Sequence, residues 1–430
     1  VPENALYFIK AKANILPKDI SDAEIVLGDA LTYNAEEQTQ TIGNVTVDGF
    51  DVTYDVSGNT ATNVGIYELT ITGNGNFTGT KTALFTITPK DISGGEVVLG
   101  DALKYTGCEQ VMTVESVTVD GMDVTYTASG HIATNVGIYP LTVTGTGNFC
   151  GEITVLYEIE VNTSAIDGIN TSNVKSTDIV TIEYCLYQLD NAVTDYADED
   201  KLAEWDELRA YCNELLAKEK EITEEYKRII LAVRSYDEST VKSADKDALI
   251  QLNEDIYALA LTDNLTEQKI QGLEEAHDKI LVLLDKITVI SDEIKRIIEE
   301  VDKYVFESVK STDKADIEQL IENIAVLLAT QNITDDERAL LENADETCCK
   351  LIAKIGDTVK EIERIDAQTN AYDPATVTSA DKSDIEALIA AIKILTDGDN
   401  ITAEEETQLE GNKATLGALA VNSALILVAK

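Results

Sequence analysis

Six cysteines, two histidines and a large excess of carboxylates are the residues of this chain that could do chemistry. Two histidines in 430 residues leave almost no room for imidazole acid–base catalysis. No cysteine spacing makes a zinc site, because the histidine nearest to the adjacent Cys348 and Cys349 is His277. The acidic runs Asp198-Glu199-Asp200 and Asp335-Asp336-Glu337 lack the spacing of an EF-hand loop. They read as solvated faces and as charge placed at helix N-termini. Carboxylate pairs of the glycosidase kind need a cleft, and no repeat carries an insertion large enough to form one. The string Gly73 to Gly79 lacks a Lys-Ser/Thr directly after its last glycine and sits among strands, so it reads as a turn rather than a phosphate loop. The chain is therefore expected to be no enzyme, with no metal and no cofactor.

The elements that position these residues are repeated. PKDISDAEIVLGDALTY at Pro17 returns as PKDISGGEVVLGDALKY at Pro89, and TNVGIYELTITGNGNFTG at Thr62 returns as TNVGIYPLTVTGTGNFCG at Thr134. The period is roughly 72 residues. A second grammar follows: VKSTD at Val174, VKSAD at Val241, VKSTD at Val309 and VTSAD at Val377 each open a unit of roughly 68 residues. The first grammar is β-branched and alternating, with Gly, Asn and Asp at the ends of short runs, and predicts strands. The second has apolar residues at three-four spacing and predicts helices. The fold class expected is tandem all-β immunoglobulin-like sandwiches followed by tandem all-α three-helix bundles. The domains are 1–16, the end of a preceding β repeat (Phe8–Leu16 matches Leu84–Thr88); 17–88 and 89–163, two β repeats; 164–240, 241–308 and 309–376, three helical modules; and 377–430, a partial or capping fourth. On this reading the chain is a piece of a longer protein.

The pattern GIYxLTxTGxGNFxG resembles the MBG/YDG-type immunoglobulin-like repeats of bacterial surface proteins, over most of both β units. That resemblance implies stalk or adhesion modules. The helical modules are similar in architecture, without a shared motif, to FIVAR-type spacers and to the immunoglobulin- and albumin-binding modules of the protein A kind. The combination resembles large surface proteins of gut Firmicutes, some of which bind antibody variable regions as B-cell superantigens.

Aligned repeats separate core from surface. In the second helical module, helix one carries Leu249, Leu252, Ile256 and Leu259, helix two Ile270, Leu273, Ile280 and Leu284, and helix three Ile294, Ile297, Val301 and Tyr304. Thr334 with Glu337 and Thr402 with Glu405 are capping boxes opening helix two; Thr266 has Lys269 in place of the acid. The Asn-Leu/Ile-Thr tripeptides at Asn264, Asn332 and Asn400 read as loop ends before a capping threonine rather than as glycosylation acceptors. The lone tryptophan, Trp205, aligns with Leu273, Leu341 and Leu409 and is assigned to the core, as is Tyr226, which matches Ile294 and Ile362.

Cys108 and Cys150 replace Glu36 and Thr78 of the first β unit, which suggests a disulfide worth about 4 kcal/mol on the chain-entropy model and an oxidising, extracellular setting. Two separate thiols are the alternative. Cys185 and Cys212 share the core phase of helices one and two, either as a second disulfide or as buried thiols. Cys348 matches Ile280 and Leu416 and belongs to a core.

Four tyrosines break the repeat pattern. Tyr184 matches Gln251, Gln319 and Ala387; Tyr187 matches Glu254, Glu322 and Ala390; Tyr211 matches Lys279, Thr347 and Thr415; Tyr257 matches Asp190, Ala325 and Lys393. Their siblings are polar or small, so these four are expected to face solvent and to anchor a partner. A formal charge of −46, from 79 acidic and 33 basic residues, disfavours nucleic acid and anionic membranes as partners, because phosphates would be repelled, and favours a monomer. No apolar run long enough to span a membrane is present in the sequence. The expectation is a non-enzymatic bacterial cell-surface protein whose helical modules bind a host protein, immunoglobulin variable domains first among candidates. A stalk displaying a distant domain is the alternative.

Overall fold

The computed structural model describes residues 12–428, with side chains described to residue 421. Strands occupy the chain from Lys18 to Glu160, and eight helices follow among the described residues, from Ile179 onward. The expected end of a preceding β repeat falls largely on residues 1–11, outside the described residues; residues 12–16 have no regular secondary structure. The chain forms two compact units, the first comprising residues 1–170 and 177–217, the second residues 171–176 and 218–430.

Each β repeat of the first unit builds a four-stranded and a three-stranded sheet. In the first repeat the larger sheet runs Leu31–Thr32, Thr80–Thr88, Gly65–Gly73, Tyr54–Ser57, and the smaller runs Glu24–Leu27, Ile42–Val47, Phe50–Asp51. Gly65–Gly73 pairs antiparallel with Thr80–Thr88, while Leu31 lies parallel to Ile87. Alternation decides the faces: Leu69, Ile71, Phe85 and Ile87 turn inward onto Val45 and Val47, and Ile66 and Leu84 turn outward. The second repeat reproduces this order with Glu152–Glu160 as its long final strand. The turn glycines Gly79 and Gly151 both have positive φ, +86° and +85°, and a Cβ there would lie 2.8 Å from Asp19 Oδ1 and 2.3 Å from Asp91 Oδ1.

The helices are α1 (Ile179–Asp190), α2 (Glu199–Ser235), α3 (Lys246–Ala260), α4 (Glu267–Val301), α5 (Lys314–Leu328), α6 (Asp335–Ala371), α7 (Lys382–Thr396) and α8 (Ala403–Val428). Here the expectation of three helices per repeat is corrected. Each repeat has one short helix and one long one, because helices two and three are continuous. No Gly or Pro separates Leu284 from Ile294, and the buried stripe of α4 never breaks step: Leu273, Ala276, Ile280, Leu283, Ile287, Ile290, Ile294, Ile297, Val301. The expected Ile270 lies off this stripe and is 38% exposed.

Bundles of three do form, but across the sequence period. One core joins Ile222, Ile229 and Val233 of α2 to α3 and to the first half of α4. The next joins Ile290 to Val301 of α4 to α5 and the first half of α6; the last joins Ile362 and Ile365 of α6 to α7 and α8. A long helix thus serves two successive cores. The VxSxD motif that opens each repeat now has a physical account. Its valine (Val174, Val241, Val309, Val377) is buried. In the later three repeats its aspartate accepts from the backbone N–H three residues earlier, as Asp245 does from Lys242 at 2.8 Å. Capping boxes at Thr334–Glu337 and Thr402–Glu405 open α6 and α8.

Candidate functional site

The first helical segment packs differently from the others. No long helix precedes it, and the second β repeat supplies its third wall. Trp205 on α2 and Leu189 on α1 are buried with Val136, Tyr157 and Ile159 of the β repeat. Trp205 is a core residue, but its core is a β sandwich. Gln188, almost wholly buried, accepts from Asn162 N–H at 2.8 Å and donates to Asn162 O at 3.3 Å. Val193 N–H donates to Val136 O at 2.8 Å, and Lys201 pairs with Glu158 at 3.2 Å. Arg209 closes the α1–α2 hairpin by donating to Asp190 and to Leu189 O.

On the outer side of this support lie Tyr184 and Tyr187, one helical turn apart on α1 and 44% and 54% exposed. Their rings stack at 6.4 Å with an interplanar angle of 11°. Behind them Tyr105 of the β repeat meets Tyr184 at 6.0 Å. Burial, with Tyr184 and Tyr187 beside it, holds the Tyr105 phenol above its ordinary pKa. Tyr105 was not legible as part of the face, because its sibling in the first repeat, Tyr33, is also a tyrosine. The other two tyrosines stand elsewhere. Tyr211 is exposed, but its hydroxyl donates to Ile169 O. Tyr257, in the second unit, packs edge-on against His277 at 5.3 Å. The geometry joins Tyr184 and Tyr187 in one face and places Tyr211 and Tyr257 outside that stack.

All six cysteines are free thiols. The expected Cys108–Cys150 bridge is corrected by sheet register. Cys150 lies just before the start of Glu152–Glu160, while Leu103 and Lys104 pair with Ile159 and Glu160 at its far end. That strand is roughly 27 Å long, and the four residues from Lys104 to Cys108 cannot return to within the ~7 Å between Cα atoms that a disulfide needs. Cys185 and Cys212 are neighbours in the α1–α2 core, buried thiols sharing a hydrogen bond with no covalent bond between them. That hydrogen bond, together with burial, pushes the Cys185 thiol far up. No cluster of three or more His, Cys, Asp or Glu suited to a metal ion occurs among the described residues, and no described helix is long and apolar enough to cross a membrane.

The second unit has its own departures. Glu219 on α2 occupies the position of Ile287 and Ile355, inside a core. Lys269 answers it at 3.3 Å, and Thr223 donates to the same carboxylate at 2.5 Å. This explains why Lys269 stands where the sibling capping boxes have Glu337 and Glu405; Thr266 still accepts from the Lys269 backbone N–H at 3.4 Å.

No protein-family model, curated protein or solved structure matches this chain.

Proposed function

We propose that the chain is a non-enzymatic binding protein of a bacterial cell surface, and that the α1 face carrying Tyr184 and Tyr187 engages a host protein. An immunoglobulin variable domain is the first partner to test. The observation that carries this reading is the stacked, exposed Tyr184–Tyr187 pair on a helix held by the Trp205 and Gln188 contacts beneath it. Exposed aromatic rings on a rigid support bury large area at little entropic cost, the usual make-up of interface anchors. In the other helical repeats the same positions hold Gln, Glu or Ala.

The test is biolayer interferometry of the full chain against human Fab and Fc, with Tyr184→Ala and Tyr187→Ala. The full chain is needed because α1 and the start of α2 share their core with the β repeat. Fab binding weakened more than about tenfold by either change supports the face, as loss of a hot-spot tyrosine should. Fab binding untouched by both changes keeps the function and removes the site.

A stalk reading has its own support, in the long helices shared between successive cores, which couple each bundle to the next. Absence of binding to either fragment leaves that reading in front.

A further inference from the structure

One face of each β repeat is built to receive the next module. In the first repeat that face carries Tyr33, Asn63 and Val64, and the second repeat seats its Asn148-Phe149 turn there. Phe149 meets Tyr33 edge-on at 5.3 Å. Asn148 accepts from Val64 N–H at 2.9 Å and donates to Asn63 Oδ1 at 3.0 Å. In the second repeat the matching residues are Tyr105, Asn135 and Val136, and the helical segment fills the face: Tyr184 meets Tyr105, and Val193 N–H bonds Val136 O.

The opposite end of the first repeat carries the matching plug, which meets no receiving face among the described residues. Asn76 and Phe77 correspond to Asn148 and Phe149 and occupy the same turn. Phe149 is buried, whereas Phe77 is half-buried and Asn76 exposed. Phe50 beside them is exposed, and Ile15, Leu16, Phe50 and Phe77 line one open concavity. Ile15 aligns with Ile87 and Ile159, which are fully buried, yet it is 92% exposed. It is a core residue without a core.

We infer that this end is a docking surface for a further β unit of the same kind, seated upstream. That unit would present a tyrosine and an Asn-Val pair to Phe77 and Asn76 and supply the core around Ile15. A second copy of the chain cannot provide the face, because both of its receiving faces are filled. The inference is independent of the aromatic site on α1.

The experiment extends the full chain by a copy of residues 89–160 placed directly before Pro17, in place of residues 1–16. Amide hydrogen exchange is followed over Asn74–Thr78, whose sequence differs from that of the copy. The result expected is slowing by about tenfold or more, reversed by Asn76→Ala in the extended chain. Unchanged exchange at Asn74–Thr78, with the copy's own strands protected, would overturn the proposal. Should the copy fail to fold, Asn148→Ala in the original chain decides through the Val64 amide. Faster exchange there supports the seating on which the inference rests, and unchanged exchange sinks it. Self-association of the original chain in sedimentation, abolished by Phe77→Ala, would also overturn it by naming a second copy as occupant.

Discussion

Asn332 donates its side-chain amide to the carbonyl of Val241, 91 positions back, at 2.9 Å. The same amide reaches Glu238 O at 2.8 Å. Asn264 does this to Val174 and Asn400 to Val309, so one asparagine in each of the later three repeats stitches the loop before a long helix to the loop opening the previous repeat. Both carbonyls would lose their partner in Asn332→Ala. A loss of about 1–3 kcal/mol is expected in urea unfolding of the second unit. A change below the error of the measurement would remove the stitch from the account. The same engagement should keep Asn264 and Asn332 unglycosylated when the chain is secreted from eukaryotic cells, read by intact mass.

The Lys269–Glu219 pair is nearly buried on both sides. Removing one partner leaves an uncompensated charge, and Lys269→Ala should destabilise by about 3–5 kcal/mol. The double change Glu219→Ile with Lys269→Glu installs the residues of the sibling repeats and rebuilds the capping box. It should match or exceed the stability of the original chain in thermal unfolding. If Lys269→Ala proves neutral, the pair does not hold α2 to α4.

Trp205 is the sole tryptophan, so its fluorescence reports the helix–sheet core alone. Emission should be blue-shifted in the native chain and move red as the first unit unfolds. Trp205→Ala should cost about 3–5 kcal/mol through the cavity it leaves, and Trp205→Leu, the sibling residue, less. Emission typical of exposed indole in the native chain would contradict the packing.

The thiols should fall into two classes. Cys108, Cys150 and Cys349 are exposed, and Cys185, Cys212 and Cys348 are buried. At pH 8 a thiol reagent should modify the first three promptly and the others at the rate of unfolding. Burial, with Asp345 and Cys349 adding to it, pushes the Cys348 thiol from 9.0 up to about 11. Its folded value is raised, so the native state holds the proton longer. The stability this confers is complete below about pH 9 and is lost as pH rises towards about 11. Cys348→Ala should flatten the alkaline limb of a stability–pH curve; an unchanged limb would place the titration elsewhere.

Repetition and periodicity in the sequence were enough to establish the order of β units and helical units, the inward residues of α3, the capping boxes, and the assignment of Asn264, Asn332 and Asn400 to helix-preceding loops. These follow from local rules, since strand alternation, helical spacing and N-capping act over a few residues. Solvent exposure of Tyr184, Tyr187, Tyr211 and Tyr257 was legible too, because siblings at the same positions are polar or small. Three things were decided only in three dimensions. The unbroken stripe of α4 suits one long helix as well as two short ones, and which neighbours each half meets is set by packing between repeats. The third wall of the first helical segment is a β repeat, a substitution that no repeat alignment encodes, and it is why Trp205 and Tyr105 took unexpected partners. Cys108 and Cys150 share one repeat but lie at opposite ends of one strand, because sheet register, a long-range property, sets the distance between them.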